Sequence, residues 1–403
     1  MARSFPVALW LLAAAAAPAA AQDFGSRWSD KIVRELYAER GPLDTALEYQ
    51  GSAGLFLYYD NNVFLEAEDS KRENDAILVP FVQGRLQYSE PVWDLALEVQ
   101  GNYKSYSDLD DADDFEARAY GRARYVGSEM SAGVVVNVRH ESDPADVVFA
   151  ERAERTVADL SPQLSFDVTP VLALELTGDF QIARFVEEFF ADSMDNDSAR
   201  GSVAVVYEME FATSLVADAG AIAIRYDRDD ITPDADAWFV RGGFRTQFVP
   251  ELSATAMIGY IEAEGDDLAG SPVRDREEET VDAHASLVYT GFENWVVTAA
   301  YTRTMGFAGG GEPFLIVNRT LLLVDYTVNE YLVVSARGQW DFSYTATETE
   351  RSYASVGGSA TFKAFENLFL DAGLIYRTGY TQTRTSEAIY DGNVYFVGAA
   401  LAF

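Results

Sequence analysis

The chain has 403 residues, of which 48% are hydrophobic and 13% aromatic, and its formal net charge is −35. This charge excludes a nucleic-acid partner, because phosphate binding needs clustered Lys and Arg, and the apolar content excludes a disordered chain. The sequence contains no cysteine, which excludes disulfides, thiol catalysis and thiolate metal sites, and we expect no cofactor.

The first 21 residues have the three parts of a secretory signal peptide. Arg3 supplies the positive charge, the apolar run extends from Val7 to Ala17, and Ala19 to Ala21 form a small-residue cleavage site. The run is too short for a membrane anchor. Residues 22–51 are predicted to be a short periplasmic lead. Ser29 can cap a helical turn there, which would make a small plug or tether, and a flexible leader is the alternative.

From residue 52 to Phe403 the chain alternates apolar and polar residues. Near the end, for example, Leu332, Val334 and Ala336 alternate with Val333, Ser335 and Arg337. A period of two predicts β-strands. We predict 18 strands, near 52–60, 76–88, 92–106, 115–126, 130–141, 155–168, 171–186, 195–207, 212–227, 237–248, 252–263, 280–290, 294–305, 314–327, 331–344, 351–363, 368–381 and 392–403. The segments near 212 and 314 alternate poorly, so 16 strands is the fallback.

The connections between these segments alternate in length. Short links such as SEPV at 89–92 and AFEN at 364–367 are separated by longer acidic links such as DLDDADD at 108–114 and GDDLAGSPVRDREEE at 265–279. A soluble β-sandwich also alternates polar and apolar faces, but it has no reason to keep this asymmetry. The pattern is typical of a bacterial outer-membrane β-barrel. We therefore predict an all-β, transmembrane, antiparallel up-and-down barrel over 52–403, without enzymatic activity and with both termini in the periplasm.

Aromatic residues gather near both ends of the predicted strands. Such girdles are expected where amphipathic rings meet the headgroup region. The group beside short links is Tyr88, Trp93, Tyr125, Trp295, Tyr331 and Phe403, and the group toward long links is Tyr103, Tyr226, Tyr301, Tyr344 and Tyr376.

Charged residues recur on the face of the strands that we assign to the inside of the barrel. We expect this inward face to be polar along nearly all strands. Charges inside a barrel need water or partners, and a barrel of 16 or 18 strands is wide enough for an aqueous lumen. The candidate pore-lining residues are Arg118, Arg122, Arg124, Arg139, Arg200, Arg241, Arg245, Arg337, Arg377, Asp94, Glu98, Glu116, Glu175, Asp179, Asp341 and Asp371. They fit a selective channel, and equally a ladder of salt bridges in a plugged barrel.

Only two histidines are available for imidazole chemistry. His284 lies on a polar strand face with Asp282 and Ser286, which is better explained by lumen lining than by a triad. His140 and Ser142 resemble the His-x-Ser of the outer-membrane phospholipase, but the next strand offers Arg155 and Thr156 in place of the Asn that family requires. The acidic loops can supply oxygen ligands to divalent cations, yet no strict Ca²⁺ loop pattern occurs, which favours a solvated surface and no metal site.

Two stretches carry resemblances to known sequences. Gly398, Leu401 and terminal Phe403 resemble the carboxy-terminal signal read by the barrel-assembly machinery, although Phe396 stands where a polar residue is usual. YYDNNVF, residues 58–64, resembles the first strand and loop of the β-barrel porin 2 family. That resemblance implies an outer-membrane barrel in contact with lipid and lipopolysaccharide, and some members are encoded beside exopolysaccharide genes. It implies no particular substrate.

The sequence thus predicts a channel for diffusion or export of polar solutes, with exopolysaccharide export as its narrower form. The alternative is a structural or adhesive barrel with a closed lumen, whose acidic outer loops bind divalent cations.

Overall fold

A computed structural model describes residues 47–63, 73–109, 113–142, 154–186, 191, 194–209, 212–228, 231–266, 277–292, 294–306, 314–344, 350–382 and 387–403. The predicted signal peptide and nearly all of the predicted lead lie outside these residues. Within the described part of the chain, no helix is long and apolar enough to span a membrane.

The described residues form eighteen strands, which confirms the predicted number. They are β1 Leu47–Asp60, β2 Asp75–Ser89, β3 Trp93–Tyr106, β4 Asp114–Val126, β5 Met130–Glu141, β6 Arg155–Thr169, β7 Leu172–Phe185, β8 Asn196–Glu208, β9 Thr213–Tyr226, β10 Ala235–Val249, β11 Leu252–Gly265, β12 Glu277–Phe292, β13 Trp295–Gly306, β14 Leu315–Asn329, β15 Leu332–Tyr344, β16 Glu350–Phe365, β17 Leu368–Gln382 and β18 Glu387–Ala402. The predicted lead is too long at its end, because β1 already begins at Leu47.

Each strand pairs antiparallel with its neighbours in the sequence, and β1 also pairs with β18. The closing pair runs from Ser52 opposite Ala402 to Asp60 opposite Val394. Gly51 and Phe403 extend it by exchanging two backbone hydrogen bonds, each 2.9 Å long. Closure leaves no free sheet edge, so backbone groups along the strands are satisfied internally, as a bilayer requires. The predicted up-and-down barrel is confirmed.

The connections have the predicted alternation in length. One end of the barrel carries links of at most four residues, at 90–92, 127–129, 170–171, 209–212, 250–251, 293–294, 330–331 and 366–367. The opposite end carries the links at 61–74, 107–113, 142–154, 186–195, 227–234, 266–276, 307–314, 345–349 and 383–386. The second group contains most of the longer connections, and we call this end of the barrel the outer rim.

The outward surface of the strands is apolar. Leu97, Val136 and Trp340 are 50, 41 and 53% exposed, as are many other large apolar side chains. Near the short links Trp93 packs on Tyr125 at 5.1 Å and Trp295 on Tyr326 at 4.5 Å between ring centroids, as expected of an aromatic girdle. The prediction that Tyr226 belongs to the aromatic girdle is wrong. Tyr226 lies opposite Asn196 on the other face and is buried.

Candidate functional site

The inner face can be followed from strand to strand by register, because residues directly opposite in an antiparallel pair project from the same face. Arg122 on β4 lies opposite Ala96 on β3 and Val135 on β5. Continued around the barrel, this register places all sixteen predicted pore-lining residues on one face, away from the exposed apolar side chains. We call it the lumen face. Arg245 on β10 reaches Glu175 on β7 across two strands, a contact that the concave side of a barrel favours.

The first charged group lies on β3 to β6. Arg122 donates to Asp94 at 2.5 Å and Arg118 donates to Asn137 at 3.0 Å. Asp94 is directly opposite Arg124, so two arginines lie beside this one carboxylate, and Arg122 forms the ion pair. Two further predicted residues in this region have partners on neighbouring strands. Glu98 accepts from Gln83 at 3.1 Å, and Glu116 pairs with Lys104 at 2.6 Å.

Toward the outer rim, Arg139 of β5 belongs to a branched network. It donates to Asp159 at 2.9 Å and to Glu141 at 3.2 Å, and Glu141 also accepts from Arg155 at 2.7 Å. Sequence reasoning had selected only Arg139. Asp159 was missed. It lies directly opposite Asn137 on the next strand and therefore on the same face, so the register of the two strands would have identified it as a lumen residue.

The second charged group surrounds the ring of Phe239 on β10. The guanidinium carbons of Arg200 and Arg241 lie 4.5 and 4.6 Å from the ring centroid. Arg241 forms a close ion pair with Asp218 and lies 3.9 Å from Asp282. Register places Asp179 opposite Arg200. Stacking on the ring of Phe239 holds both arginines in place, and carboxylate pairing adds to it for Arg241.

The third charged group runs from β14 to β1. Asp341 accepts from Arg319 at 3.1 Å and from Gln339 at 2.8 Å, and Gln339 in turn accepts from Arg337 at 3.0 Å. On the closing strands, Arg377 of β17 donates to Asp60 of β1 at 2.7 and 2.8 Å, reaching past β18. Thr361 donates to Asp371 at 3.4 Å.

Asp60 and Arg319 were also missed, for different reasons. Asp60 was predicted as the last residue of the first strand but not as a lumen charge, whereas it binds the guanidinium of Arg377. Arg319 lies in a strand whose two faces are both largely apolar, which hid its phase.

The lumen face is not polar along nearly all strands, so that expectation is wrong in two places. One apolar strip, on β17, β18, β1 and β2, contains Phe56, Val79, Phe81, Ile375, Val394 and Phe396. A second, on β9 to β11, contains Ile222, Ile224, Tyr226, Ala237, Phe239 and Ile261. All of these side chains are at most 9% exposed. Aromatic rings lying over facing glycines, such as Phe56 over Gly398, account for part of the first strip.

Exposure divides the lumen face into two walls. On β15 to β17, Arg337, Asp341 and Asp371 are 8, 0 and 2% exposed. On β4 and β3, the side chains of Arg122 and Asp94 are 23 and 29% exposed, and Asp179 on β7 is exposed. Water therefore reaches Arg122, Asp94 and Asp179, whereas Arg337, Asp341 and Asp371 are covered by their neighbours.

Among the residues that the structure describes, neither histidine has the partners that hydrolysis would require. On the lumen face, His284 contacts Thr302 at 3.3 Å, which does not make a triad. Directly opposite His140 on the next strand is Thr156, at 3.0 Å, in place of the Asn of the phospholipase arrangement. At the carboxy terminus, Leu401 and Phe403 face outward with 55 and 65% exposure, and Gly398 lies on the lumen face. Their recognition by assembly machinery stays a prediction.

No family model matches the chain, and no curated protein matches it. Among solved structures, it is similar to the outer membrane protein opdK from Pseudomonas aeruginosa, with 11% identity and a TM-score of 0.46. It is also similar to a BenF-like porin from Pseudomonas fluorescens Pf-5, with 12% identity and a TM-score of 0.44. A third similar structure is OccAB3 from Acinetobacter baumannii, with 9% identity and a TM-score of 0.43. Each alignment covers 88% of this chain and 99% of the other.

At such values the likeness carries no argument about function. The chain's own pairing and faces define an antiparallel β-barrel of the transmembrane type. Because no family model matches, the resemblance to the β-barrel porin 2 family stays a prediction.

Proposed function

We propose that the chain is a channel in the bacterial outer membrane through which polar solutes diffuse. The observation that carries this proposal is the half-exposed wall of β3 to β7, where Arg122, Asp94 and Asp179 line the lumen and remain accessible to water. An outward face of exposed Leu, Val and Trp supports insertion in a bilayer, and a strand number of eighteen supports a lumen wide enough for water.

The charge of this wall gives the channel an expected preference. On β4, Arg118, Arg122 and Arg124 face the lumen, and the nearby acids on β3 are Asp94, opposite Arg124, and Glu98, opposite Tyr120. Over this stretch the three arginines outnumber the two acids and concentrate anions beside them, because a narrow low-dielectric passage strengthens the field of its charges. We therefore expect a preference for anionic over cationic solutes within the lumen.

The test is conductance of the purified protein in a planar bilayer with a KCl gradient. Stable steps of ionic current are expected. The double variant Arg122→Gln/Arg124→Gln should shift the reversal potential in the direction of greater cation selectivity. Arg337→Gln is the matched control, because that arginine also faces the lumen but is only 8% exposed, so its loss should leave the reversal potential nearly unchanged. An absence of conductance steps in folded protein would refute the channel.

Export of an exopolysaccharide is the narrower form of the proposal, and it rests on the resemblance of residues 58–64. Anionic oligosaccharides of increasing length provide the test. If long chains interrupt the current as transient blockades, the lumen admits a polymer. If only short ones do, the channel serves small solutes.

A barrel with a closed lumen is the second candidate, and the covered wall favours it. Asp341, Asp371 and Asp282 are at most 2% exposed, and two apolar strips lie on the same face. In that case bilayers containing folded protein would show no current, and acidic outer loops would account for the function through cation or partner binding.

A further inference from the structure

Three side chains that can bind a metal converge at the outer rim, on the neighbouring strands β4, β5 and β6. Asp114 is the first residue of β4, His140 is the next to last of β5, and Glu154 immediately precedes β6. One ligand atom from each lies within 4.8 Å of the other two. The three are far apart along the chain and meet at the first residues of β4, the last residues of β5 and the residue before β6, so no local loop motif forms the cluster.

The contacts around His140 leave one ring nitrogen directed at a carboxylate. Its Nδ1 lies 3.0 Å from Thr156 Oγ1, and its Nε2 lies 3.0 Å from Glu154 Oε1. If Nδ1 carries the proton and donates it to Thr156, Nε2 presents a lone pair to an oxygen that is itself an acceptor. With the proton on Nε2 the ring would donate to Glu154 directly, whereas with the proton on Nδ1 a cation between the two acceptors satisfies both. Metal-binding histidines commonly have this arrangement, with the second nitrogen donating to a neighbouring group.

Asp114 supplies the independent observation. Its Oδ2 is screened from solvent and accepts no hydrogen bond from the described residues, although an unpaired buried carboxylate oxygen is costly. Basic side chains of the same region are engaged with other acids. Lys104 pairs with Glu116 at 2.6 Å, while Arg139 and Arg155 share Glu141 at 3.2 and 2.7 Å. A bound cation would satisfy the Asp114 oxygen.

We propose that Asp114, His140 and Glu154 form a binding site for a divalent transition metal, with Zn²⁺ as the best fit. Zn²⁺ bonds nitrogen and carboxylate oxygen at about 2.0–2.2 Å, so tetrahedral neighbours lie about 3.3–3.6 Å apart, close to the Nε2 to Oε1 separation. The imidazole disfavours Ca²⁺, which takes six to eight oxygen ligands. The site joins three strands at the rim and is independent of whether the lumen conducts.

The full-length protein, refolded in detergent and freed of metal by EDTA, allows a direct test by calorimetric titration with ZnCl₂. One equivalent is expected per chain, with Co²⁺ giving the visible absorption of a four-coordinate site. His140→Ala, which removes the central ligand, should weaken binding at least about 100-fold. Thr156→Val, which removes only the positioning hydroxyl, should weaken it about 10-fold. His284→Ala is the matched control, because it removes the other histidine of the chain and should bind as wild type.

Heat-modifiable migration on a gel establishes that each variant is folded. His140→Asn, which keeps a polar side chain of similar shape, replaces His140→Ala if the alanine variant does not fold. Equal Zn²⁺ affinity in wild type and the folded His140 variant would overturn the proposal and leave His140 as an ion-pair partner of Glu154. Full displacement of Co²⁺ by equimolar Ca²⁺ would overturn it as well, because it would indicate a site formed by oxygen ligands alone.

Discussion

Placing a single arginine on the outward face of β4 tests the division into outer and lumen faces. Ala119 lies midway along β4, opposite Val99 on β3 and Val138 on β5. Those valines are 49 and 40% exposed, so an arginine there would meet hydrocarbon on both sides. On the lipid face an arginine at mid-depth costs about 2–4 kcal/mol. Ala119→Arg should therefore lower the folding equilibrium constant by roughly 30- to 700-fold, at about 1.4 kcal/mol per factor of ten.

Ala300 provides the matched control, because it is also a mid-strand alanine but lies on the lumen face, between Ser286 and Leu321. Its replacement by arginine lets the guanidinium extend into the lumen, and we expect a loss below about 1 kcal/mol, as for a solvated surface substitution. Urea titration of both variants, folded into phosphatidylcholine vesicles and followed by tryptophan fluorescence, gives the two free energies of unfolding. Equal losses at Ala119 and Ala300 would refute the assignment of faces.

Three other perturbations test the contacts of the lumen face. Arg377→Gln should destabilise the barrel by about 3 kcal/mol, because it leaves Asp60 (side chain 9% exposed) without its ion pair, and adding Asp60→Asn should restore most of the loss in urea titrations. Gly398→Val should slow folding into vesicles and cost about 1–3 kcal/mol, since even a Cβ there lies 2.1 Å from the Phe56 ring, whereas Gly398→Val/Phe56→Ala should recover much of it. A double-mutant cycle of Arg245→Gln and Glu175→Gln should give a coupling near 1 kcal/mol, because the pair is partly solvated, and a coupling near zero would contradict their contact.

The number of strands and the two faces of most strands could be predicted from the sequence because the bilayer imposes a simple rule. A lipid-facing residue must be apolar, so every second position is constrained along each strand. β15 illustrates this, since Val334 and Trp340 face outward while Arg337, Gln339 and Asp341 face the lumen. Most predicted bounds lie within a few residues of the observed ones for the same reason.

The two segments that alternated poorly, near 212 and 314, fail for a reason visible in the barrel. β9 directs Val216, Ile222 and Ile224 to the lumen face, and β14 directs Leu315 and Leu321 there. Apolar residues on both faces remove the period of two. Sequence reasoning cannot assign the phase of such strands, and the charged residues within them, Asp218 and Arg319, were missed for that reason.

The ion-pair partners of charged residues on the lumen face could not be predicted from the sequence. Arg245 and Glu175 are separated by two strands, and Arg377 and Asp60 by one, so neither pair follows from spacing along the chain or from nearest-neighbour register. These contacts depend on the curvature of the wall, which brings side chains together on its concave side. The proposed metal ligands at the rim likewise do not follow from spacing along the chain, since Asp114, His140 and Glu154 come from β4, β5 and the residue before β6.

The uneven covering of the lumen charges bears on how the barrel can conduct. A buried ion pair gains little over an apolar wall, because desolvation offsets its Coulomb energy, so Arg319 with Asp341 serves position more than stability. Such a wall carries fixed, compensated charge and attracts few ions. Arg122 and Arg124 differ, since both lie beside Asp94 and both are partly exposed. If current flows, its selectivity must therefore be set along β3 to β7. Substitutions on β15 to β17 should then change the free energy of unfolding and leave the reversal potential alone.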